Sequence, residues 1–228
     1  MRFKDRTDAG KILAQILTDY ANRPDVLVLA LPRGGVPVAF EVAQALNAPL
    51  DVVVVRKLGV PNNEELAMGA LAKLPGTDFA TGGVRILNQE IVNQMQIPDA
   101  VITRIAMQQQ RELERRETLY RGDRPFPNLQ GRTIILVDDG LATGATMWAA
   151  TMAVRQQKPQ QIIIAVPVAA AETCEDLQTK VEKIVCTTTP SPFYSVGLWY
   201  EEFPQTTDSE VCELLKTSNN HQPLFSSK

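Results

Sequence analysis

The sequence predicts an α/β fold in which a doubly wound, mostly parallel sheet is flanked by helices. Short apolar runs of strand length alternate with segments of helical periodicity over most of the chain. This alternation favours parallel strands joined by right-handed crossovers. Of the 228 residues, 44% are hydrophobic and 21% are charged, so the chain can bury the core that such a sheet needs.

The first half of the chain alternates between helix and strand. A short polar side chain, Asp8, is the expected N-cap of the first helix. Residues 58–84 are rich in Gly, Pro and Asn, and we expect a flexible loop there, with a short strand at 67–71. The other elements predicted in this half are strands at 26–31 and 50–55 and a helix at 36–46.

The second half repeats the pattern after a polar outer helix at residues 99–120. We predict strands at 133–137, 161–168 and 183–186, separated by helices at 143–154 and 171–181. Residues 1–189 are therefore expected to form one α/β core. The aromatic-rich remainder, residues 190–228, is expected to form a small C-terminal hood over one end of the sheet, with a helix capped near Asp208.

Composition argues against several classes of protein. The net charge of -3 disfavours a general nucleic-acid binder, which usually carries a basic face. We find neither a signal peptide nor an apolar stretch long enough to span a bilayer, so we expect no membrane partner. Three widely spaced cysteines favour a reduced, cytoplasmic protein. With His221 as the single histidine, no zinc cluster of the usual ligands is expected.

The most informative segment is IILVDDGLATGAT, residues 134–146. An apolar strand ends here in two aspartates, Asp138 and Asp139, whose oxygens can accept hydrogen bonds from the vicinal hydroxyls of a ribose. A run of small residues follows and opens a helix, where unsatisfied N–H groups and the helix dipole favour a phosphate. The alternative is a strand that ends in an Asp-rich turn and only caps the next helix.

The motif VDDGLATGAT resembles the phosphoribosyl diphosphate-binding motif of the type I phosphoribosyltransferases. The resemblance implies that Asp138 and Asp139 hold the ribose hydroxyls as catalytic residues. It implies that the following loop binds the 5-phosphate, through Ala142, Thr143, Gly144, Ala145 and Thr146. Longer stretches, such as LPRGGVPVA and VVRKLGVP, resemble a bacterial group of this family whose substrate is largely unassigned.

A second loop, ALPRGG at residues 30–35, resembles the diphosphate loop of the family, in which a cation precedes Gly-Gly. The resemblance gives Arg33, Gly34 and Gly35 this role and leads us to expect a cis peptide between Pro32 and Arg33. A turn with a surface arginine is the alternative. The basic pair Arg56 and Lys57, predicted at the end of the next strand, resembles residues that meet the diphosphate, although solvated charges fit the sequence as well. By its position, segment 58–84 corresponds to the mobile loop that closes over the site in relatives.

The aromatic residues of the tail suggest an acceptor pocket. Tyr194 lies where hypoxanthine–guanine enzymes carry the ring that stacks on the purine, and Trp199 is a second candidate. Each ring could equally be part of the core of a small subdomain. The phosphate loop begins with Ala142, whereas 6-oxopurine enzymes have Asp there. A 6-oxopurine acceptor is therefore disfavoured, and the sequence names no general base.

Together these features predict a Mg²⁺-dependent transferase. It would bind 5-phosphoribosyl-1-diphosphate and a small nitrogenous acceptor, with a homodimer left open as its assembly. Two other functions fit the same motifs: a regulator that senses phosphoribosyl diphosphate without turnover, and a hydrolase or phosphorylase that acts on nucleotides.

Overall fold

The computed structural model describes residues 2–75 and 83–220. Seven helices and eight strands lie in these ranges. The helices are α1 (Arg6–Ile16), α2 (Gly35–Leu46), α3 (Gln89–Gln94), α4 (Asp99–Arg121), α5 (Ala145–Gln156), α6 (Ala171–Gln178) and α7 (Asp208–Asn220). The strands are β1 (Val26–Ala30), β2 (Leu50–Val52), β3 (Val54–Val60), β4 (Asn63–Lys73), β5 (Gly83–Leu87), β6 (Thr133–Val137), β7 (Gln161–Val168) and β8 (Lys183–Thr188).

The main sheet has five parallel strands in the order β2-β1-β6-β7-β8. The chain leaves β1 toward β2 on one side and returns to β6 on the other side, so the strand order reverses between β1 and β6. In open α/β sheets, ligands bind at the carboxyl ends of the strands at such a reversal. The predicted strands at 133–137 and 161–168 coincide with β6 and β7.

Alternate residues of β1 pack into two separate hydrophobic clusters, which makes the fold three-layered. Val26, Val28 and Ala30 contribute to the cluster on the side of α1 and α2. Leu27 and Leu29 contribute to the cluster that includes the buried face of α5. Because side chains in a strand point alternately to opposite faces, both faces of the main sheet are covered, as a parallel sheet requires.

The first helix begins earlier than its sequence suggested. Asp5, rather than Asp8, is the N-cap, and its carboxylate accepts a hydrogen bond of 2.8 Å from the Asp8 backbone N–H. Asp8 lies in the first turn of α1, where its negative charge interacts favourably with the positive end of the helix dipole. The chain offers two acidic residues three positions apart, and periodicity alone did not choose between them.

The prediction of an irregular loop at 58–84 was wrong for most of its length. Residues 54–73 and 83–87 form a three-stranded antiparallel sheet in the order β3-β4-β5. Pro61 and Asn62, whose φ is 63°, connect β3 to β4 in the manner of a type II turn. The remaining residues of the predicted loop, 76–82, lie outside the described residues.

The hood is built from both ends of the described chain. Phe3 pairs with Tyr200 in a parallel bridge, and the Phe3 N–H donates to the Trp199 carbonyl at 2.8 Å. The N-terminal segment therefore contributes to the hood, which the prediction of a hood formed by residues 190–228 did not include. Helix α7 departs from the prediction too, since it packs against α2 and α4 of the core. Among the residues described, none of the helices has the length and apolarity to cross a membrane.

Candidate functional site

Two loops meet at the reversal between β1 and β6. Asp138 and Asp139 follow β6, and the loop of Arg33, Gly34 and Gly35 follows β1. The Leu31 N–H donates to the Val137 carbonyl at 2.9 Å, so the two strand ends are joined directly. The peptide between Pro32 and Arg33 is cis, as the resemblance led us to expect.

The approach of these loops requires glycine. A Cβ at Gly34 would overlap the Oδ2 atom of Asp139, and one at Gly35 would lie 2.7 Å from the Val137 carbonyl oxygen. No ordinary Cβ makes contacts that close. The Gly-Gly pair is therefore the feature that lets the predicted diphosphate loop lie directly against the acidic pair.

The two acids are partly buried at the end of β6. Burial, followed by the charge of Asp139, raises the pKa of Asp138 well above its ordinary value. Burial also raises the pKa of Asp139, although the neighbouring Arg6 guanidinium opposes this shift. The Asp139 backbone N–H donates to Asp138 Oδ1 at 2.8 Å, which orients the Asp138 carboxylate.

Arg6 is a site residue that sequence analysis missed. Its Nε donates to Asp139 Oδ2 at 2.8 Å, and one terminal nitrogen donates to the Pro204 carbonyl at 2.6 Å. The guanidinium also lies 3.8 Å from the centre of the Phe203 ring. Arg6 thus connects the first helix, the acidic pair and the hood. No local pattern in the sequence links residue 6 to residue 139.

Tyr200 fastens the hood to the same strand end. Its hydroxyl donates to the Asp139 carbonyl at 2.6 Å, and burial raises the pKa of that hydroxyl. The Tyr200 ring packs between Phe3 and Phe203. Tyr200, which was not singled out in the sequence, is therefore an aromatic residue of the tail that contacts Asp139 directly.

The predicted phosphate loop lies between β6 and α5. Ala142 and Thr143 are exposed, and Gly144 adopts a left-handed φ of 70° immediately before the first residue of α5, Ala145. The helix therefore begins two residues later than predicted. This geometry leaves the first N–H groups of α5 beside an open surface, where an anion is favoured.

Helix α6 supports this loop from behind. The Thr173 hydroxyl donates to the Ala142 carbonyl at 2.5 Å. The hydrogen bond ties the exposed start of the phosphate loop to a helix that belongs to the core. Thr173 was not singled out in the sequence, because its contact spans 31 residues.

At the diphosphate loop, Arg33 faces an acid from the C-terminal helix. Its guanidinium is 3.8 Å from an Asp208 carboxylate oxygen. Asp208 also accepts hydrogen bonds from the Tyr120 hydroxyl at 2.6 Å and from Arg115 at 3.1 Å. Together these contacts lower the pKa of Asp208, with the bond from Tyr120 as the largest cause.

Arg56 and Lys57 lie within β3 of the smaller sheet, so their predicted place at the end of a parallel strand was wrong. Both residues line a cleft between β3 and α4. Arg56 donates from Nε to the Gln109 side-chain oxygen at 2.8 Å. Burial, followed by the charge of Arg116, lowers the pKa of Arg56.

The structure does not bring Tyr194 to the acids. Its side chain is 78% exposed and projects from the hood. Trp199 is half-buried and packs against the small hydrophobic cluster of Phe3 and Tyr200. Trp199 is therefore part of the hood interior here, and a role for either ring in acceptor binding stays a prediction.

Two adjacent acids beside a helix start, at the reversal of a parallel sheet, form an arrangement that can hold a phosphorylated sugar. The match to a family model is more specific. Residues 5–197 match the phosphoribosyl transferase domain, and the chain belongs to that family. The type I fold expected from the sequence is confirmed.

The chain is similar to two Mycobacterium tuberculosis proteins, MT0597 and Rv0571c, which carry provisional phosphoribosyl transferase names. Each is 44% identical over 213 residues, which are 93% of this chain and 46% of the relative. The chain thus spans about half the length of these curated relatives. Among solved structures, TT1426 from Thermus thermophilus is 41% identical with a TM-score of 0.74, over 94% of this chain and 98% of that one.

Proposed function

We propose that the protein transfers the 5-phosphoribosyl group from 5-phosphoribosyl-1-diphosphate to a nitrogen of a small acceptor and releases diphosphate. The proposal rests on one observation: the backbone of Gly34, in the predicted diphosphate loop, lies directly against the Asp139 side chain. A sugar whose hydroxyls bind Asp138 and Asp139 would therefore present its C1 substituent to the backbone of the diphosphate loop, while its 5-phosphate reaches the start of α5.

The chemistry that this geometry supports is mainly positioning and electrostatic stabilisation. The bond between C1 and the diphosphate oxygen would break, leaving positive charge on the sugar ring. Negative charge on Asp138 and Asp139 would stabilise that ring, and Arg33 would stabilise the departing diphosphate. The acceptor nitrogen would then form the new bond to C1 and lose its proton.

Magnesium fits the donor set. Within the described ranges, no cluster of three metal-binding side chains occurs, so the protein alone does not enclose a metal. Asp138 and Asp139 do supply carboxylate oxygens at one point. Mg²⁺ commonly binds through one or two carboxylates together with substrate oxygens and water. When bound, it would neutralise charge on the diphosphate.

The acceptor is the least constrained part of the proposal. Ala142 supplies no acid or base at the place where 6-oxopurine enzymes carry an aspartate. An acceptor whose nitrogen needs no protonated partner at that position is therefore favoured, such as an aminated base or an amine. Tyr200 and Arg6 contact Asp139, and Phe203 packs on the Arg6 guanidinium, so these three residues would form that side of the pocket.

The test is a screen of nucleobases and amines with phosphoribosyl diphosphate and Mg²⁺, followed by measurement of diphosphate release. We expect acceptor-dependent release with at least one aminated acceptor. Tight binding of the sugar diphosphate without release for any acceptor would favour the sensing regulator. Release of a base from a supplied nucleotide would favour the hydrolase.

A further inference from the structure

Helix α4 presents a row of arginine and glutamine side chains to β3. Gln108, Arg111 and Arg115 recur at helical spacing and so lie on one face. Together with Arg56, Gln109 and Glu112 they line a cleft of about 430 Å³. Three guanidinium groups and two amides therefore surround one open space.

The charge in this cleft is not balanced. Among the described residues that line it, Glu112 is the one acid, and it already accepts hydrogen bonds from Arg115 at 2.8 Å and from Arg116 at 2.7 Å. These bonds, first of all that from Arg115, lower the pKa of Glu112 to about 2. In the part of the chain that the structure describes, Arg111 has no ion-pair partner. Held guanidinium groups in excess over acids attract an anion.

The cleft is linked to the diphosphate loop through Asp208. Asp208 accepts from Arg115 at 3.1 Å through one carboxylate oxygen, and its other oxygen is 3.8 Å from Arg33. One carboxylate thus lies between the arginine that follows β1 and the arginines of α4. Burial lowers the pKa of Arg56, and the positive charges of Arg116 and Arg33 lower it further.

We propose that the cleft between α4 and β3 is a polyanion subsite that binds diphosphate through Arg111 and Arg115, in addition to Arg56. The inference rests on the proposed function, since it extends the diphosphate end of that site onto α4, outside the VDDGLATGAT motif and the ALPRGG loop. Asp208 occupies the position between the arginines while the anion is absent. Guanidinium groups are suited to this role because they bind phosphate oxygens in a bidentate manner.

The experiment measures binding of inorganic diphosphate by calorimetry at two salt concentrations. The variants are Arg111→Gln and the double variant Arg111→Gln with Arg115→Gln. The matched control is Arg104→Gln, which removes the same charge from the same helix outside the cleft. Arg104 lies on the same face as Arg111 but seven residues earlier, a rise of about 10 Å, which exceeds the Debye length of about 8 Å at physiological salt.

We expect the double variant to bind diphosphate roughly tenfold or more weakly, since charge-assisted bonds are lost. We also expect its affinity to depend less on salt than that of the wild type. Arg104→Gln should bind as the wild type does. Equal affinity in the double variant and in Arg104→Gln would overturn the inference, as would a wild-type protein that does not bind diphosphate.

Consumption of phosphoribosyl diphosphate, measured on the same variants, separates this inference from the proposed function. If the wild type consumes phosphoribosyl diphosphate while the double variant retains full affinity for diphosphate, the proposed subsite is contradicted and the proposed function is not. If diphosphate affinity falls as expected but no acceptor supports turnover, the subsite stands and the transferase is wrong. Circular dichroism on each variant confirms that α4 is intact.

Discussion

The acidic end and the basic end of the site are each neutralised by a residue from a terminal segment, but with different tightness. At the acidic end, the bond from Arg6 to Asp139 is 2.8 Å and the two side chains are only 10% and 15% exposed. At the basic end, Arg33 and Asp208 are 3.8 Å apart and are 24% and 28% exposed. The first pair is a formed, nearly buried hydrogen bond, and the second is a loose contact.

The difference between the two charge pairs shows that the acidic end of the site is more rigidly held than the basic end. A buried, short charge pair keeps its geometry because breaking it would leave an unpaired charge. A looser pair at the surface contributes little and is easily replaced by another anion. Under the proposed function, the sugar would bind to acids that Arg6 and the Asp139 N–H already orient, whereas the diphosphate would compete with Asp208 for Arg33.

The largest effect is expected from Asp139→Asn. Loss of the charge would remove ribose binding and leave Arg6 without its acid, so turnover should fall about 100-fold, or about 2.7 kcal/mol. Steady-state kinetics at a saturating concentration of acceptor measure this decrease in turnover. The control is Asp123→Asn, which removes an exposed acid just beyond the C-terminal end of α4. Turnover unchanged from the wild type would mean that the sugar does not bind at Asp139.

Gly34→Ala should have the next largest effect, because its Cβ would overlap Asp139 and force the two loops apart. We expect a decrease in affinity for the sugar diphosphate of about tenfold and a lower melting temperature. Gly131→Asn is the control, since Gly131 has a left-handed φ of 71°, which Asn tolerates, and no described atom lies within 4 Å of the added Cβ. Wild-type affinity in Gly34→Ala would show that the loops need not touch.

Asp138→Asn separates stability from function at the acidic end. Burial raises the pKa of Asp138 in the folded protein above its ordinary 3.8, so ionisation favours the unfolded chain. The stability of the wild type should therefore fall as pH rises from about 4 until Asp138 is ionised in the folded state. The variant Asp138→Asn keeps the side-chain oxygen that accepts the hydrogen bond from the Asp139 N–H. It has no carboxyl group to ionise there, so its stability should not fall with pH in this way.

Denaturant titrations across pH measure the difference. We expect the Asn variant to be more stable than the wild type at neutral pH, with the advantage disappearing below about pH 4. A stability difference that does not change with pH would contradict the buried-carboxylate interpretation.

The smallest effect is expected at the basic end. Asp208→Asn removes the competing anion but keeps an oxygen for the Tyr120 hydroxyl. Affinity for diphosphate should rise by roughly threefold at low salt, because an exposed pair contributes less than about 1 kcal/mol. The gain should shrink at high salt. Calorimetry would detect it, and weaker binding in this variant would show that Asp208 supports the site instead of competing with the ligand.

The sequence predicted the part of the site that is local. A strand, two acids and a small-residue loop lie within 13 consecutive positions, so periodicity and motif together located β6, the acids and the start of α5. The Gly-Gly loop was equally local. Arg6 and Asp208, which neutralise the two ends, were not predicted as site residues. They are distant in sequence from Asp139 and Arg33, and the residues around them in the sequence form no recognisable motif.

The smaller sheet shows a different kind of failure. Gly, Pro and Asn between residues 58 and 84 were interpreted as signs of a loop, yet Pro61 and Asn62 form a tight turn between two paired strands. Turn residues mark the end of a strand as readily as a loop. The alternation of side chains along β4 was masked by small residues such as Gly69 and Ala70.

The bridge between Phe3 and Tyr200 also bears on how the protein is made. Phe3 leaves the ribosome almost two hundred residues before Tyr200, so the bridge between them cannot form while the central strands assemble. A contact of such long sequence separation forms late. Nascent chains stalled before residue 200 should accordingly have a protected sheet and an accessible Phe3, and they should acquire an ordered Arg6 side chain only after the aromatic tail emerges.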